Sequence, residues 1–271
     1  MPCVRASFVL GLFAAVSASG ALALCAAPEP VEVFPKAEHL PSNLLRAYVY
    51  FPRPMGQGDI MEHIALLDAD GEEVAGAFLK NRYDLWSPDR TRLTLLFDPG
   101  RVKTGLAAHD ALGRALEAGR DYAILVRGSA RDAKGCALGP DMTQAFRAGP
   151  ADTQTPDPGA WGLHLPHSGT TEPLTLELGS PHDHLSLVYR VRVLDRAGQP
   201  VAGRIELSEG ESVWIFTPAQ PWPHEVHRIS VDPRLEDLAG NRPGVLFDRP
   251  VDEPARAWEP ERTWTPKAMT R

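Results

Sequence analysis

The chain has 271 residues, and 28 Lys and Arg against 35 Asp and Glu give it a formal net charge of −7. An acidic chain without a run of Lys or Arg lacks the electrostatic footprint of a nucleic-acid-binding protein, so we expect no nucleic-acid partner. The same charge disfavours an interaction with an anionic membrane surface.

The N-terminal 27 residues have the pattern of a cleaved export signal. Arg5 supplies the positive charge, residues 8–18 form an apolar core, and residues 21–27 form a small-residue cleavage region. A membrane anchor is the alternative, but Ser and Gly residues dilute the stretch and no basic cluster follows it. We therefore expect an exported protein, periplasmic or at the cell surface, with no transmembrane domain after signal removal.

Cys25 adds a further alternative at this boundary. Residues 22–25 read Leu-Ala-Leu-Cys, which is close to a bacterial lipobox, so a lipid anchor at Cys25 would be the other mature form. Besides Cys25, signal removal leaves only Cys136. We accordingly expect no intramolecular disulfide and no thiolate-rich metal site, and the mature chain must be held by hydrophobic cores.

Apolar and polar residues alternate along much of the chain. The segments 45–51, 93–97, 122–126 and 174–178 have the period of two that is typical of half-buried antiparallel strands, and turns rich in Pro, Gly and Asp separate them. No long helical pattern interrupts them. Strands at this spacing predict a β-sandwich.

The two halves of the chain share turn and strand-end residues at a constant offset. Pro54 and Pro181 are 127 positions apart, and so are Gly71 and Gly198. Solenoid repeats run at roughly 20 to 50 residues, so a repeat of this length indicates a duplicated domain.

The repeated motifs are a Pro after a strand, an Asp-x-x-Gly hairpin, a strand end and a closing Asp-x-x-Gly turn. In the first copy they are Arg53-Pro54-Met55, Asp68 to Gly71, Leu93 to Leu95 and Asp132 to Gly135. In the second copy they are Ser180-Pro181-His182, Asp195 to Gly198, Trp214 to Pro218 and Asp237 to Asn241. These motifs resemble bacterial Ig-like domains of surface-layer and other exported proteins. The resemblance implies an all-β fold of two tandem Ig-like antiparallel sandwiches with a structural or protein-interaction role.

The expected organisation follows from the repeat and its flanks. It comprises a signal peptide over 1–27, a first sandwich over 28–150 with an inserted loop over 98–119, a linker over 151–159, a second sandwich over 160–248 and a disordered tail over 249–271. The copies depart from the family pattern at Cys136, where Asn is usual, and at His182, where Met is usual. Because function tends to lie in loops, the inserted loop is a candidate binding surface.

Histidines are concentrated in the second half, where six of the nine form three close pairs: His164 and His167, His182 and His184, and His224 and His227. Neutral imidazole binds copper and zinc, so a periplasmic copper- or zinc-binding protein using His182 and His184 is one alternative. Since both residues fall at a predicted turn and the pairs lie on separate segments, we expect no metal site.

We expect no catalytic site and no cofactor. The sequence has neither a Gly-x-Ser-x-Gly elbow nor a Gly-rich phosphate loop ahead of a helix. Glu236-Asp237 is interpreted as turn chemistry, and Asp132 near Cys136 would raise a thiol pKa rather than lower it. The stretch that starts at Asp68 lacks the Gly and Glu positions of a calcium-binding EF-hand loop.

Tryptophans carry the remaining alternative, a glycan- or protein-ligand-binding module with an envelope protein or glycan as partner. Trp86 and Trp214 are 128 positions apart, and we interpret them as equivalent core aromatics rather than exposed stacking platforms. Trp222 lies between two prolines and is the better candidate for exposure. The binding surface would then be the Trp222 loop or the inserted loop over 98–119.

Overall fold

The computed structural model describes residues 25, 27, 29–80, 84–102, 113–248 and 260–268. These residues are mostly β-sheet with a few short helices, as the alternation predicts. No described helix is both long and apolar enough to cross a membrane. The export-signal pattern up to residue 24 and the middle of the predicted inserted loop, residues 103–112, lie outside the described residues.

The first half contains two four-stranded sheets. Its strands are β1 (Glu32–Phe34), β2 (His39–Pro41), β3 (Arg46–Tyr50), β4 (Ile64–Leu67), β5 (Leu85–Trp86), β6 (Arg92–Leu96), β7 (Asp121–Val126) and β8 (Met142–Gly149). The sheet orders are β1-β3-β6-β5 and β2-β8-β7-β4, antiparallel except for the parallel pair β2–β8. A short 3₁₀ helix (Ile60–His63) precedes β4, and α1 (Pro99–Val102) follows β6.

The second half repeats this arrangement. Its elements are β9 (Gly162–His164), β10 (Leu174–Glu177), α2 (His184–Arg190), β11 (Val191–Leu194), β12 (Gly203–Ser208), β13 (Val213–Pro218), β14 (His227–Val231) and β15 (Glu261–Trp264). The antiparallel sheets have the orders β12-β13-β10-β9 and β11-β14-β15. In both halves one sheet carries the first, second, fifth and fourth strands of an immunoglobulin domain and the other carries the third, sixth and seventh. This order is consistent with all-β Ig-like sandwiches.

The last strand corrects the prediction of a disordered tail. β15 pairs with β14, with Trp264 opposite His227, and the Trp264 side chain is 5 % exposed. Its ring lies 5.1 Å from that of Trp222. The prediction failed because the prolines and charges around this segment hide the pattern of a four-residue strand. The one buried residue of that strand is Trp264, whose large ring packs into the second core. Residues 249–259 and 269–271 of the predicted tail lie outside the described residues.

Two clusters of buried hydrophobic residues form the cores, one in each half. Buried and half-buried residues alternate along β13, as the period of two predicts. Leu238, from the second half, belongs to the first cluster, and its carbonyl accepts the Leu45 N–H at 2.9 Å. The two halves therefore share packing, and their division into two domains stays a prediction.

The predicted equivalence of the two tryptophans is wrong. Trp86 lies in β5, whereas Trp214 lies in β13, opposite Leu176 of β10. In the first half Leu93 occupies that place, opposite Val49. Trp214 is fully buried, while Trp86 is half-buried at the margin of the first cluster.

Four Asp-x-x-Gly turns are built alike, which confirms the turn interpretation of these motifs. In each turn the glycine N–H donates to the aspartate carbonyl, and the aspartate Oδ1 accepts the N–H of the residue four positions on. The glycines are Gly71, Gly135, Gly198 and Gly240, with φ of 80°, 80°, 79° and 80°. Only glycine adopts this left-handed conformation at no steric cost.

The structure also overturns the expectation of no intramolecular disulfide. Cys25 is bonded to Cys136 across a sequence separation of 111 residues. The expectation failed because Cys25 was grouped with the export signal, while its proximity to the closing turn is set by the tertiary fold. A thioether to lipid would use the same Cys25 sulfur, so the disulfide and the lipid anchor exclude each other.

Candidate functional site

The closing turn of each half lies against the bend that follows its second Ig strand. Met55 forms an antiparallel bridge with Asp132, and His182 forms the corresponding bridge with Asp237. The flanking hydrogen bonds also correspond: Gly56 N–H to Arg131 O and Asp183 N–H to Glu236 O, both 3.1 Å. The two sites can therefore be compared position by position.

In the first half an arginine neutralises the buried closing-turn carboxylate. Arg53 Nε donates to Asp132 Oδ2 at 2.9 Å, and the Asp132 side chain is 3 % exposed. Burial alone would raise the pKa of Asp132, but the N–H groups of Cys136 and Lys134 together with Arg53 hold it below its usual range. Arg53 also lies 3.5 Å from Glu29, in the segment before β1.

In the second half no described Lys or Arg forms a hydrogen bond or ion pair with the corresponding carboxylate, Asp237. Ser180 occupies the position equivalent to Arg53, 127 residues on. Within the described chain, the hydrogen-bond partners of Asp237 are neutral: the N–H groups of Ala239 and Asn241 and the Asn241 side-chain amide. Burial, reinforced by the Asp152 carboxylate, raises the pKa of Asp237 to about 7. Sequence analysis interprets Asp237 only as turn chemistry, because the proximity of position 180 to this carboxylate is set by the tertiary fold.

His182 is buried beside this carboxylate and leaves one ring nitrogen unpaired. Its Nδ1 lies 2.8 Å from the Ser180 carbonyl, and because a carbonyl only accepts, Nδ1 must carry the proton. Burial lowers the pKa of His182, so the ring is neutral at pH 7 and Nε2 is an acceptor. Nε2 is buried and has no hydrogen-bond partner among the described residues. Such unsatisfied buried groups are rare in folded proteins.

These groups line one cleft, called the acidic cleft here, of about 590 Å³. Its walls are the segment from Asp152 to Gly162, which comprises most of the linker and the start of β9, the end of β10 with the bend to His182, and Asp237. Four lining residues are acidic, Asp152, Asp157, Glu177 and Asp237, and none is Lys or Arg. Such a concentration of one sign of charge in a concave site raises the local concentration of cations.

The linker wall of the acidic cleft is held in place by hydrogen bonds. Asn43 Nδ2 donates to the Asp152 carbonyl at 2.8 Å, and Asn241 Nδ2 donates to the Gln154 carbonyl at 3.1 Å. Arg262 Nη1 donates to the Trp161 carbonyl at 2.7 Å. Hydrogen bonds from both halves thus hold the linker wall of the acidic cleft in place.

A buried polar junction joins the two halves beside the acidic cleft. The Tyr48 hydroxyl donates to Asp183 Oδ2 at 2.7 Å, and Arg46 Nη2 lies 2.6 Å from Glu236 Oε2. Burial raises the pKa of both Tyr48 and Asp183. Arg242 pairs with the other Glu236 oxygen at 2.7 Å. Because breaking one partner of a buried pair is strongly destabilising, these contacts hold the halves in one orientation.

The predicted histidine pairs do not converge. His164 bonds Glu177 and His167 bonds Glu172, both at 2.8 Å. The His184 ring packs 3.9 Å from that of Phe34, whereas the His182 ring contacts Trp161. No group of three or more His, Cys, Asp or Glu is placed to hold a metal ion in the described part of the chain.

The exposure predicted for Trp222 is wrong. Its side chain is 1 % exposed, and its Nε1 donates to the Glu172 carbonyl at 2.7 Å. Backbone hydrogen bonds to Gly169 and Thr170 hold it against the second core, so its ring offers no stacking surface for a glycan. The inserted loop over 98–119 stays a prediction because its middle lies outside the described residues.

No protein-family model and no curated protein matches this sequence. Among solved structures, the chain is similar to domains MG0-NIE-MG1 of native α2-macroglobulin from Escherichia coli, at 10 % identity over 89 % of this chain and 71 % of that one, with a TM-score of 0.27. It is also similar to a chimeric titin Z1Z2, at 9 % identity over 76 % and 91 % with a TM-score of 0.24. The tandem Ig repeats of Dlar are similar at 11 % identity over 76 % of this chain and 90 % of that one, with a TM-score of 0.22. At such TM-scores, the Ig-like description rests on the strand order of the chain itself.

Proposed function

We propose that this protein is an exported, non-catalytic Ig-like protein of the bacterial envelope with a structural or protein-interaction role. The Cys25–Cys136 disulfide is the observation that supports export most strongly. Structural disulfides form and persist in oxidising compartments and are rare in the cytosol. The export-signal pattern agrees with it, provided that cleavage leaves Cys25 on the mature chain.

The buried acids at the junction support a structural rather than a chemical role. Asp183 accepts the Tyr48 hydroxyl, Glu236 binds Arg46, and Glu211 Oε2 accepts the Lys36 N–H at 2.7 Å. Each of these second-half carboxylates binds a first-half residue and thereby helps to hold the two halves together. A fixed orientation suits a protein that presents surfaces to a partner.

Counting accessible thiols in cell fractions tests the export proposal. The full chain is expressed in a bacterium, fractionated, and labelled with a maleimide polymer before and after reduction. We expect an envelope fraction with no label before reduction and two labels after it, on Cys25 and Cys136. Three labels would mean that Cys3 and the signal are retained. A cytosolic protein labelled without reduction would overturn the proposal, and a single label with a lipid mass on Cys25 would replace the disulfide by an anchor.

A further inference from the structure

We propose that the acidic cleft binds a guanidinium group, carried by an arginine side chain of a partner protein. The proposal rests on the protein-interaction role above and deepens it by naming the site and the chemistry of the interaction. It concerns the cleft between the linker, the bend before His182 and Asp237.

The equivalent site in the first half already holds a guanidinium group. There the closing-turn carboxylate of Asp132 binds the guanidinium of Arg53. In the second half the position of Arg53 is occupied by Ser180, whose short side chain is exposed at the cleft. The second closing turn therefore carries the same carboxylate as the first turn but lacks the arginine that would pair with it. An incoming guanidinium would restore the pairing that the first half contains.

The residues of the acidic cleft offer hydrogen-bond acceptors. His182 lines the cleft, and its buried Nε2 is an acceptor with no hydrogen-bond partner among the described residues. Asp152 Oδ1 accepts the Gln154 N–H, while no described residue donates to its Oδ2. Guanidinium carries five N–H donors in a planar fork and no acceptor, and it is more weakly hydrated than ammonium. It therefore complements a partly buried site that offers acceptors and negative charge.

Hydrogen bonds within the chain fix the shape of the acidic cleft. The cleft volume of about 590 Å³ falls within the range of ordinary ligand pockets, about 300 to 1,000 Å³. Its linker wall is held by Asn43 and Asn241 before any ligand arrives. The nearby Arg262 donates to the carbonyls of Pro158 and Trp161 and is not among the lining residues. A rigid site loses little entropy on binding.

A peptide titration followed by NMR tests the proposal on the purified, disulfide-bonded full chain. The probe is acetyl-Gly-Arg-Gly-amide, and its control replaces arginine with citrulline, which has the same shape without the charge. We expect saturable shifts at Trp161, His182 and Asp237 with the arginine peptide and at least tenfold weaker binding of the citrulline peptide. Equal binding of both peptides, or shifts elsewhere on the molecule, would overturn the proposal. Equal affinity for free L-arginine would reassign the cleft to a small molecule.

A variant that fills the cleft from within gives an independent test. Ser180→Arg places a guanidinium at the position equivalent to Arg53, and Ser180→Gln adds comparable length without charge. We expect Ser180→Arg to weaken the arginine peptide at least tenfold more than Ser180→Gln does. Thr143→Arg adds the same charge on the exposed face of β8, and it should leave binding unchanged. If all three variants bind alike, the proposal is wrong, while the thiol-labelling result on export stands unaffected.

Discussion

The two closing turns have the same backbone but opposite surroundings. In the first half the segment before β1 is tied to the turn by the Cys25–Cys136 disulfide. Asp152 stands 127 positions after Cys25, and there the segment before β9 is tied to the turn by the Asn241 amide. A covalent bond in one half is thus replaced by hydrogen bonds in the other.

The difference in charge follows the same division. Asp132 has Arg53 beside it and a lowered pKa, whereas the hydrogen-bond partners of Asp237 among the described residues are neutral and its pKa is raised to about 7. Both carboxylates are buried and accept backbone N–H groups from the same turn positions. The turn therefore sets the geometry of the carboxylate, while burial and the nearby charged group, Arg53 in one half and Asp152 in the other, shift its pKa in opposite directions.

Removal of the disulfide is expected to have the largest effect on this comparison. The double variant Cys25→Ser, Cys136→Ser should lose about 3 kcal/mol of unfolding free energy, because a long loop of the unfolded chain is no longer restrained. Urea unfolding measures the loss. Reduction of the wild-type protein should reproduce it and should leave the double variant unchanged. An unchanged midpoint on reduction would show that the bond does not support the fold.

Arg53→Ser makes the first closing turn resemble the second. We expect a loss of about 2 kcal/mol at pH 7, because the buried Asp132 carboxylate keeps its backbone hydrogen bonds but loses its charged partner. Arg53→Lys, which retains the charge without the fork, should lose less. Thermal unfolding of both variants measures the difference. Equal stability of Arg53→Ser and the wild type would break the comparison.

The pH dependence of stability should distinguish the two turns. The folded state holds a proton on Asp237 that the unfolded chain releases above about pH 4, so this residue lowers stability as the pH rises from about 4 to about 7. We expect a slope of about 1 kcal/mol per pH unit. Asp132 has the opposite sign, since its stabilisation is lost as the pH falls below its unfolded value.

Asp237→Asn isolates the contribution of Asp237. The unfolding free energies of the wild type and this variant are measured at intervals from pH 4 to pH 8. The difference between them should change with pH by the slope given above and should level off above pH 7. Buried Asp183, which also has a raised pKa, is common to both proteins and cancels in the difference. A flat difference would place the proton elsewhere.

Ser180→Arg should have the smallest effect on stability and would sharpen the comparison. Placing a guanidinium beside Asp237 is expected to stabilise the protein by less than about 1 kcal/mol at pH 7, because the new side chain also loses conformational freedom. The same change should lower the pKa of Asp237, which NMR titration of its side-chain carboxyl follows. An unaltered pKa would mean that position 180 does not face this carboxylate.

Some features of this comparison could be predicted from the sequence. The constant offset predicted that His182 takes the place of Met55, and the bridges to Asp237 and Asp132 confirm it. The Asp-x-x-Gly motifs were predictable because a left-handed glycine and an aspartate acceptor are local requirements. The meaning of Ser180 was not predictable, since it depends on a carboxylate 57 residues further along the chain.

Other features escaped sequence analysis because they depend on distant partners. The apolar run from Leu187 to Leu194 indicates one strand, but Asp183 accepts the Ser186 N–H and starts α2 ahead of β11. The hairpin motif that ends at Gly198 indicates a return strand paired with β11, yet β12 pairs with β13 in the other sheet. A period of two identifies a strand without identifying its sheet.

The sequence by itself determined the β-sheet class, the repeated turns and the near-constant register between the two halves. These follow from local backbone chemistry and from alternation, which act over a few residues. Only the tertiary structure decided that Cys25 meets Cys136, that Trp264 completes the second half, and that the carboxylate of Asp237 shares a cleft with His182 and no arginine. Each of these depends on burial and on partners far apart in the chain, which no local pattern encodes.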